Sequence, residues 1–187
     1  RDGLPVENRG VGNDIALNYP SPDTVKVLQG PWMVTFDPAF RGPAAPVLFE
    51  TLVDWTTSSN DSIRYYSGTA RYNITFTLTE ENGDRSIMLD LGNLTAMAKV
   101  KVNGNYAGGV WTHPYRLDIT QWVKPGQNDL EIEVVNNWMN RLIGDLNLPE
   151  DQRETWCYVN PYNAKSPLQP SGLFGPVTIQ SLQYQGN

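Results

Sequence analysis

Gly68-Thr69-Ala70-Arg71-Tyr72-Asn73-Ile74-Thr75-Phe76-Thr77-Leu78 alternates apolar and polar residues without a break. Ala70, Tyr72, Ile74, Phe76 and Leu78 fall on one face of an extended chain, and Thr69, Arg71, Asn73, Thr75 and Thr77 on the other. Side chains of a strand point alternately to its two faces, so this period of two predicts a strand with one face in a core and one in water. The same pattern recurs on both sides. Trp32, Val34 and Phe36 alternate with Met33 and Thr35, and Val25 and Val27 with Lys26 and Leu28, with Gly30-Pro31 as the break. Further strands are expected at 87–91, 98–102, 106–108, 115–119, 130–135 and 177–184, and 47–55 reads as a short packed excursion.

The connections fit hairpins. Asn82-Gly83 and Asn103-Gly104 supply the two positive-φ positions of a type I′ turn, and Pro125-Gly126-Gln127-Asn128 supplies another turn. Pro38, Pro43 and Pro46 exclude a central strand between 38 and 46. Asp118 to Val123 has room for one helical turn, with Asp118 or Thr120 accepting from its first amides. Short strands at this spacing predict an all-β antiparallel β-sandwich, and no internal repeat suggests a solenoid or propeller.

With 187 residues, the chain is long enough for one domain that buries close to ~70% of its unfolded surface. Six Trp and nine Tyr, with few charges and many Gly and Pro, suit a sandwich with elaborate loops. Residues 1–24 lack periodicity and read as an irregular N-terminal segment, leaving 25–187 as a single domain. The start at Arg1-Asp2-Gly3 fits a processed protein or a piece of a longer one, and the piece is our expectation.

Net charge −6 and an isoelectric point near 4.7 argue against nucleic acid or anionic membrane as partners, which require basic patches. No apolar run reaches the ~18 to 20 residues of a membrane span, and no signal peptide is recognisable. Cys157 stands alone and is expected as a small buried or half-buried thiol.

Several motifs in order carry a family resemblance. Tyr66-Ser67-Gly68-Thr69-Ala70-Arg71-Tyr72, Val102-Asn103-Gly104 with Gly108, Pro114 to Thr120 and Lys124-Pro125-Gly126-Gln127-Asn128 resemble the sugar-binding domain of glycoside hydrolase family 2. Gly30-Pro31-Trp32, Phe36-Asp37-Pro38, Asp54-Trp55-Thr56, Asn140 to Asp145 and Gly172-Leu173-Phe174-Gly175-Pro176-Val177 resemble the C-terminal sandwich of family 106 α-L-rhamnosidases. The resemblance implies a galactose-binding domain-like jelly roll attached to a catalytic (β/α)₈ barrel, in a periplasmic or secreted enzyme. The catalytic acid and base would then lie outside this chain, which falls short of the ~250 residues of such a barrel.

Candidate chemistry concentrates in two loops. Sugars take flat aromatic faces against their C–H patches and polar groups against their hydroxyls. One loop has Trp111, His113, Tyr115 and Arg116. The other has Trp138, Asn140, Arg141, Asp145, Trp156, Tyr158 and Tyr162. The blander reading is packing: Trp32, Trp55, Trp122 and Trp138 fall where periodicity asks for core residues, and Arg141 with Asp145 would make a salt bridge that pins a loop. His113, the single histidine, suits a loop hydrogen bond or a ligand hydroxyl. With no Gly-x-Ser-x-Gly elbow, serine-nucleophile chemistry is set aside. The acids Asp145, Glu150, Asp151 and Glu154 read as loop charges, so no catalytic residue is assigned. No cofactor is expected. A structural calcium, which some galactose-binding-like domains carry, would fall to Asp145 or Glu150-Asp151. The sequons at Asn60, Asn73 and Asn93 are read as incidental.

Three readings stay open. An accessory domain would help form a sugar site beside a catalytic barrel. A purely structural brace would show a buried Arg141–Asp145 pair and no rim-facing aromatics. A self-sufficient lectin-like binder would show two or more exposed aromatics in one concave surface. Leu146, Leu148, Trp156, Tyr158 and Tyr162 are expected as apolar surface that a barrel would cover, because the 144–170 loop exceeds the ~12 to 15 residues of an idle connection.

Overall fold

The computed structural model describes residues 23–79 and 85–183. The chain runs through β1 (Asp23–Leu28), β2 (Trp32–Phe36), β3 (Val47–Phe49), α1 (Asp61–Arg64) and β4 (Thr69–Leu78), then β5 (Arg85–Asp90), β6 (Asn93–Leu94), β7 (Met97–Val102) and β8 (Asn105–Val110). It continues with β9 (Arg116–Asp118), β10 (Gly126–Val135), α2 (Met139–Asp145), β11 (Leu173–Gly175) and β12 (Val177–Gln183). Six strands in the order β3-β2-β4-β10-β7-β8 form one sheet, and four in the order β1-β12-β5-β9 form the other. Every strand ladder is antiparallel. The architecture is the antiparallel β-sandwich that the alternation predicts.

The inner faces meet as expected. Trp32, Val34, Phe36, Ala70, Tyr72, Phe76 and Leu78 are buried from one sheet, and Ile87, Leu89, Val177 and Ile179 from the other. Phe36 packs edge-on to Tyr66 at 4.9 Å and to Trp55 at 5.3 Å between ring centres. The polar tips of Trp55, Tyr66 and Tyr72 are satisfied, whereas the buried Trp32 indole nitrogen has no partner among the described residues. The Trp55 indole donates to the Tyr72 hydroxyl at 2.7 Å, and the Tyr66 hydroxyl donates to the Thr69 carbonyl at 2.9 Å. Burial raises the pKa of both phenols, which therefore stay protonated.

Several expectations need revision. The stretch 138–145 is not the start of an aromatic loop but the helix α2. Gly144 and Asn140 are poor helix formers, yet the helix gains its stability from burying Asn140, Arg141, Ile143, Gly144 and Asp145 against the sandwich. A glycine is needed there, since a Cβ on Gly144 would stand 2.6 Å from the Tyr65 ring. β1 begins at Asp23, within the segment read as irregular, and the remainder of that segment lies outside the described residues, as does the Asn82-Gly83 turn. Val25 and Val27 do not face the core but are exposed, because β1 is an edge strand. β10 begins at Gly126, inside the expected turn. Asn103 and Gly104 do adopt the positive φ values, 51° and 80°, of the expected hairpin turn. The one helical turn after Asp118 is also present, with Asp118 accepting from the Thr120 amide at 2.9 Å.

Candidate functional site

The strand register gathers the candidate loops at one end of the six-stranded sheet. Val135 pairs with Thr69 on one side and Met97 on the other, Ala98 with Val110, and Ala70 with Phe36. The turn after β2, the loop after β8 and α2 after β10 therefore leave the sandwich at the same end.

At that end α2 is fastened from both sides. The Asn140 amide donates to the Gln169 carbonyl and the Ser171 hydroxyl oxygen, both at 2.7 Å, and its carbonyl accepts from the Gln169 amide at 2.8 Å. Asn136 also donates to Ser171 Oγ, at 3.0 Å, and the Ser171 backbone amide donates to Asp54 at 3.0 Å. One turn further on, Asp145 is buried. Its Oδ2 accepts from the amides of Glu154 and Thr155 at 3.0 and 2.8 Å and from the Thr155 hydroxyl at 2.7 Å. Its Oδ1 stands 3.7 Å from Arg141 Nη1, an ion pair without a hydrogen bond. Burial pushes the Arg141 guanidinium below its ordinary pKa, and the Asp145 and Glu154 carboxylates oppose that shift. Arg141 also reaches the Phe40 carbonyl at 3.4 Å. Arg41 pairs with Glu154 at 2.5 Å and donates to the Gln152 carbonyl, so the turn after β2 holds the 152–154 segment as well.

Asn140 and Arg141 therefore lie in the framework beneath the rim, while Asp145 joins that framework through Oδ2 and also lines a cavity at the rim. The aromatics lie above it. Trp156 and Tyr158 are 84% and 88% exposed, and Tyr162 is half-buried. Trp138 is not the core residue that periodicity suggested: it is 54% exposed and packs edge-on against Phe40 at 6.2 Å. Two adjoining cavities, of about 360 and 490 Å³, share Leu142, Glu154, Thr155, Trp156 and Cys157 as walls. Trp138 closes the smaller, and Asp145, Leu146, Glu150, Arg153 and Asn160 extend the larger. Contrary to expectation Cys157 is exposed, with its thiol donating to the Val159 carbonyl at 3.0 Å. Leu146 and Leu148 are only half-exposed. Among the described residues no group of three or more His, Cys, Asp or Glu is placed to hold a metal ion.

None of the first loop's candidates lines these two cavities. Trp111 is 73% exposed, and His113 stacks on the buried Tyr115 at 4.2 Å. Arg116 pairs with Asp90 at 2.7 Å. What sequence reasoning missed is Tyr106, 59% exposed on β8. Its signal was present, since an aromatic directly after an Asn-Gly hairpin turn has little core to enter.

With this geometry in hand, the relatives can be compared. Residues 52–165 match the family model described as "Glycosyl hydrolase 2 galactose-binding domain-like". Among solved structures, the rhamnosidase from Novosphingobium sp. PP1Y is 41% identical with a TM-score of 0.81, over 87% of this chain and 15% of that one. The β-glucuronidase from Ruminococcus gnavus in complex with uronic isofagomine is 26% identical with a TM-score of 0.52, over 60% of this chain and 21% of that one. Among curated proteins, the "Putative beta-glucuronidase" of Formosa agariphila is 35% identical over an alignment of 181 positions that covers 83% of this chain and 16% of that protein. This chain thus spans a small part of each relative's length.

Proposed function

Because this chain belongs to the glycosyl hydrolase 2 galactose-binding domain-like family, we propose that it is a non-catalytic accessory domain of a larger glycoside hydrolase, and that its α2 end helps form a sugar site. The observation that carries this reading is the pair of adjoining cavities between α2 and residues 153–160, with Trp138 and Trp156 in the walls of one and Glu150, Glu154 and Arg153 in the walls of the other. Indole faces take the C–H side of a pyranose, and the charged groups take its hydroxyls. Asn140, Arg141 and Asp145 act as positioning residues that hold this rim rigid, which reduces the ordering needed on binding.

The parent activity that fits best is that of an α-L-rhamnosidase-like enzyme, periplasmic or secreted, whose catalytic domain supplies the acid and base. One or two stacking contacts, after the losses on association, give an isolated domain a Kd near ~1 mM. Such weak binding is useful when the domain is tethered to a catalytic site. Tryptophan fluorescence and amide shifts during titration with rhamnose and with glucuronic acid test the reading. Saturable changes centred on Trp138 and Trp156 are expected, and silence to tens of millimolar would overturn sugar binding by this domain alone.

A specific observation favours a bracing role as a second reading. Tyr158 and Val159 stand 88% and 70% exposed beside Trp156, an apolar run that a partner domain would cover. If the titration is silent, this run becomes the docking surface for the catalytic barrel.

A further inference from the structure

We infer that Tyr106 and Trp111 form a separate carbohydrate-binding surface on the outer face of the six-stranded sheet, one that takes an extended polysaccharide chain bearing uronate carboxylates. The two residues are five apart, so plain alternation would put them on opposite faces of β8. The β7–β8 ladder prevents this. Lys101 pairs with Tyr106 and Val100 with Gly108, which leaves Ala107 as an extra residue in a β-bulge. Ala107 packs on the core, a Cβ on Gly108 would face Leu117 at 3.0 Å, and Val110 is buried. Tyr106, Gly109 and Trp111 are therefore turned together to the outside. The Tyr106 hydroxyl lies 3.4 Å from where a Cβ on Gly109 would stand, so the ring lies along the strand toward Trp111, over a residue without a side chain.

Charge decides the ligand. Across the ladder from Tyr106 and Gly109 are Lys101 and Lys99. Lys101 lies 2.7 Å from Glu131 and 3.7 Å from Glu133, and Arg71 reaches the same two acids at 3.6 and 3.3 Å. Those acids are balanced by two cations, while Lys99, opposite Glu133 in the β7–β10 ladder, is exposed and makes no ion pair among the described residues. Lys99, Lys101 and Arg71 against Glu131 and Glu133 leave one surplus cation beside the two exposed rings, with the exposed Asp129 further along β10, on a chain of net charge −6. Aromatic faces cover pyranose C–H surfaces, and an unpaired ammonium beside them complements a uronate carboxylate. The stretch from Tyr106 to Trp111 spans about 15 Å along an edge strand, room for more than one sugar ring. None of these residues lines the cavities at α2, so this surface is independent of the site proposed there.

The test is native affinity electrophoresis of the 187-residue chain through gels containing polygalacturonate, alginate or neutral dextran. Retardation by at least one acidic polymer, none by dextran, and weakening as salt rises are expected. Tyr106→Ala and Trp111→Ala should each weaken retardation about tenfold, and Lys99→Ala should weaken it and flatten the salt dependence. All three side chains are exposed, so unchanged melting temperatures will show that these variants are folded. A chain that both acidic polymers leave unretarded, or retardation that the Tyr106 and Trp111 variants retain, would overturn the inference. Loss of retardation in Trp156→Ala alone would also overturn it, moving the polysaccharide contact to the α2 cavities.

Discussion

Thr155 bonds Asp145 twice, its backbone amide at 2.8 Å and its hydroxyl at 2.7 Å both donating to Oδ2 of the buried carboxylate. This pair of hydrogen bonds ties the far arm of the rim loop to the last turn of α2. On its other side Asp145 faces Arg141, so the same carboxylate holds the loop and balances a buried guanidinium. Removing one partner of such a pair leaves an uncompensated charge.

Asp145→Ala is therefore expected to destabilise the fold by about 3 kcal/mol, lowering the melting temperature by about 6 to 12 °C. Differential scanning calorimetry checks this. A change within 1 °C would show that the pair is not part of the framework.

The two tryptophans at opposite extremes of burial should separate cleanly. Trp55→Ala removes a fully buried indole and its bond to Tyr72, and should cost about 3 to 5 kcal/mol. Trp156→Ala removes an 84% exposed one and should stay within about 0.5 kcal/mol. Urea unfolding of both variants provides the comparison, and a large loss at Trp156 would contradict its assignment to the rim.

Gly144 reverses the usual helix rule. Alanine is ordinarily favoured over glycine inside a helix by about 1 kcal/mol. Here the added methyl would stand 2.6 Å from the Tyr65 ring, so Gly144→Ala should destabilise, and a melting temperature above the parent's would refute the close approach.

Ser171 Oγ accepts from both Asn136 and Asn140. Ser171→Ala takes an acceptor from two buried amides and should cost about 2 kcal/mol. It should also loosen the hold of α2 on residues 169–171, which faster amide exchange at Gln169 would report.

Acid should weaken the outer face of the larger sheet. Burial alone would raise the Glu131 pKa, but the Lys101 and Arg71 cations outweigh it and hold it below its ordinary value. A carboxylate with a depressed folded pKa contributes stability above its unfolded pKa near ~4.3, and that contribution is lost as pH falls through the folded value. Melting temperatures between pH 3 and 6 should fall less steeply for Glu131→Gln than for the parent chain. Equal slopes would remove Glu131 from the acid response.

The alternation of Ala70, Tyr72, Phe76 and Leu78 against Thr69, Arg71 and Thr77 was enough to specify β4, because a period of two in one strand is local. The Asn103-Gly104 turn was equally legible, since its positive φ values depend on those two residues. From many such strands and turns in order, the sequence by itself determined an antiparallel sandwich, and the motifs within it carry the family resemblance. Only the tertiary structure decided the rest. α2 draws its stability from the sandwich surface, so a sequence with Gly144 and Asn140 inside it looked like loop. Asn140, Arg141 and Asp145 are buried and Trp138 is exposed, since burial depends on what lies across from a side chain and not on its type. Tyr106 shares a face with Trp111 only because the ladder carries an extra residue at Ala107, and a bulge is a property of two paired strands that neither strand's sequence contains alone.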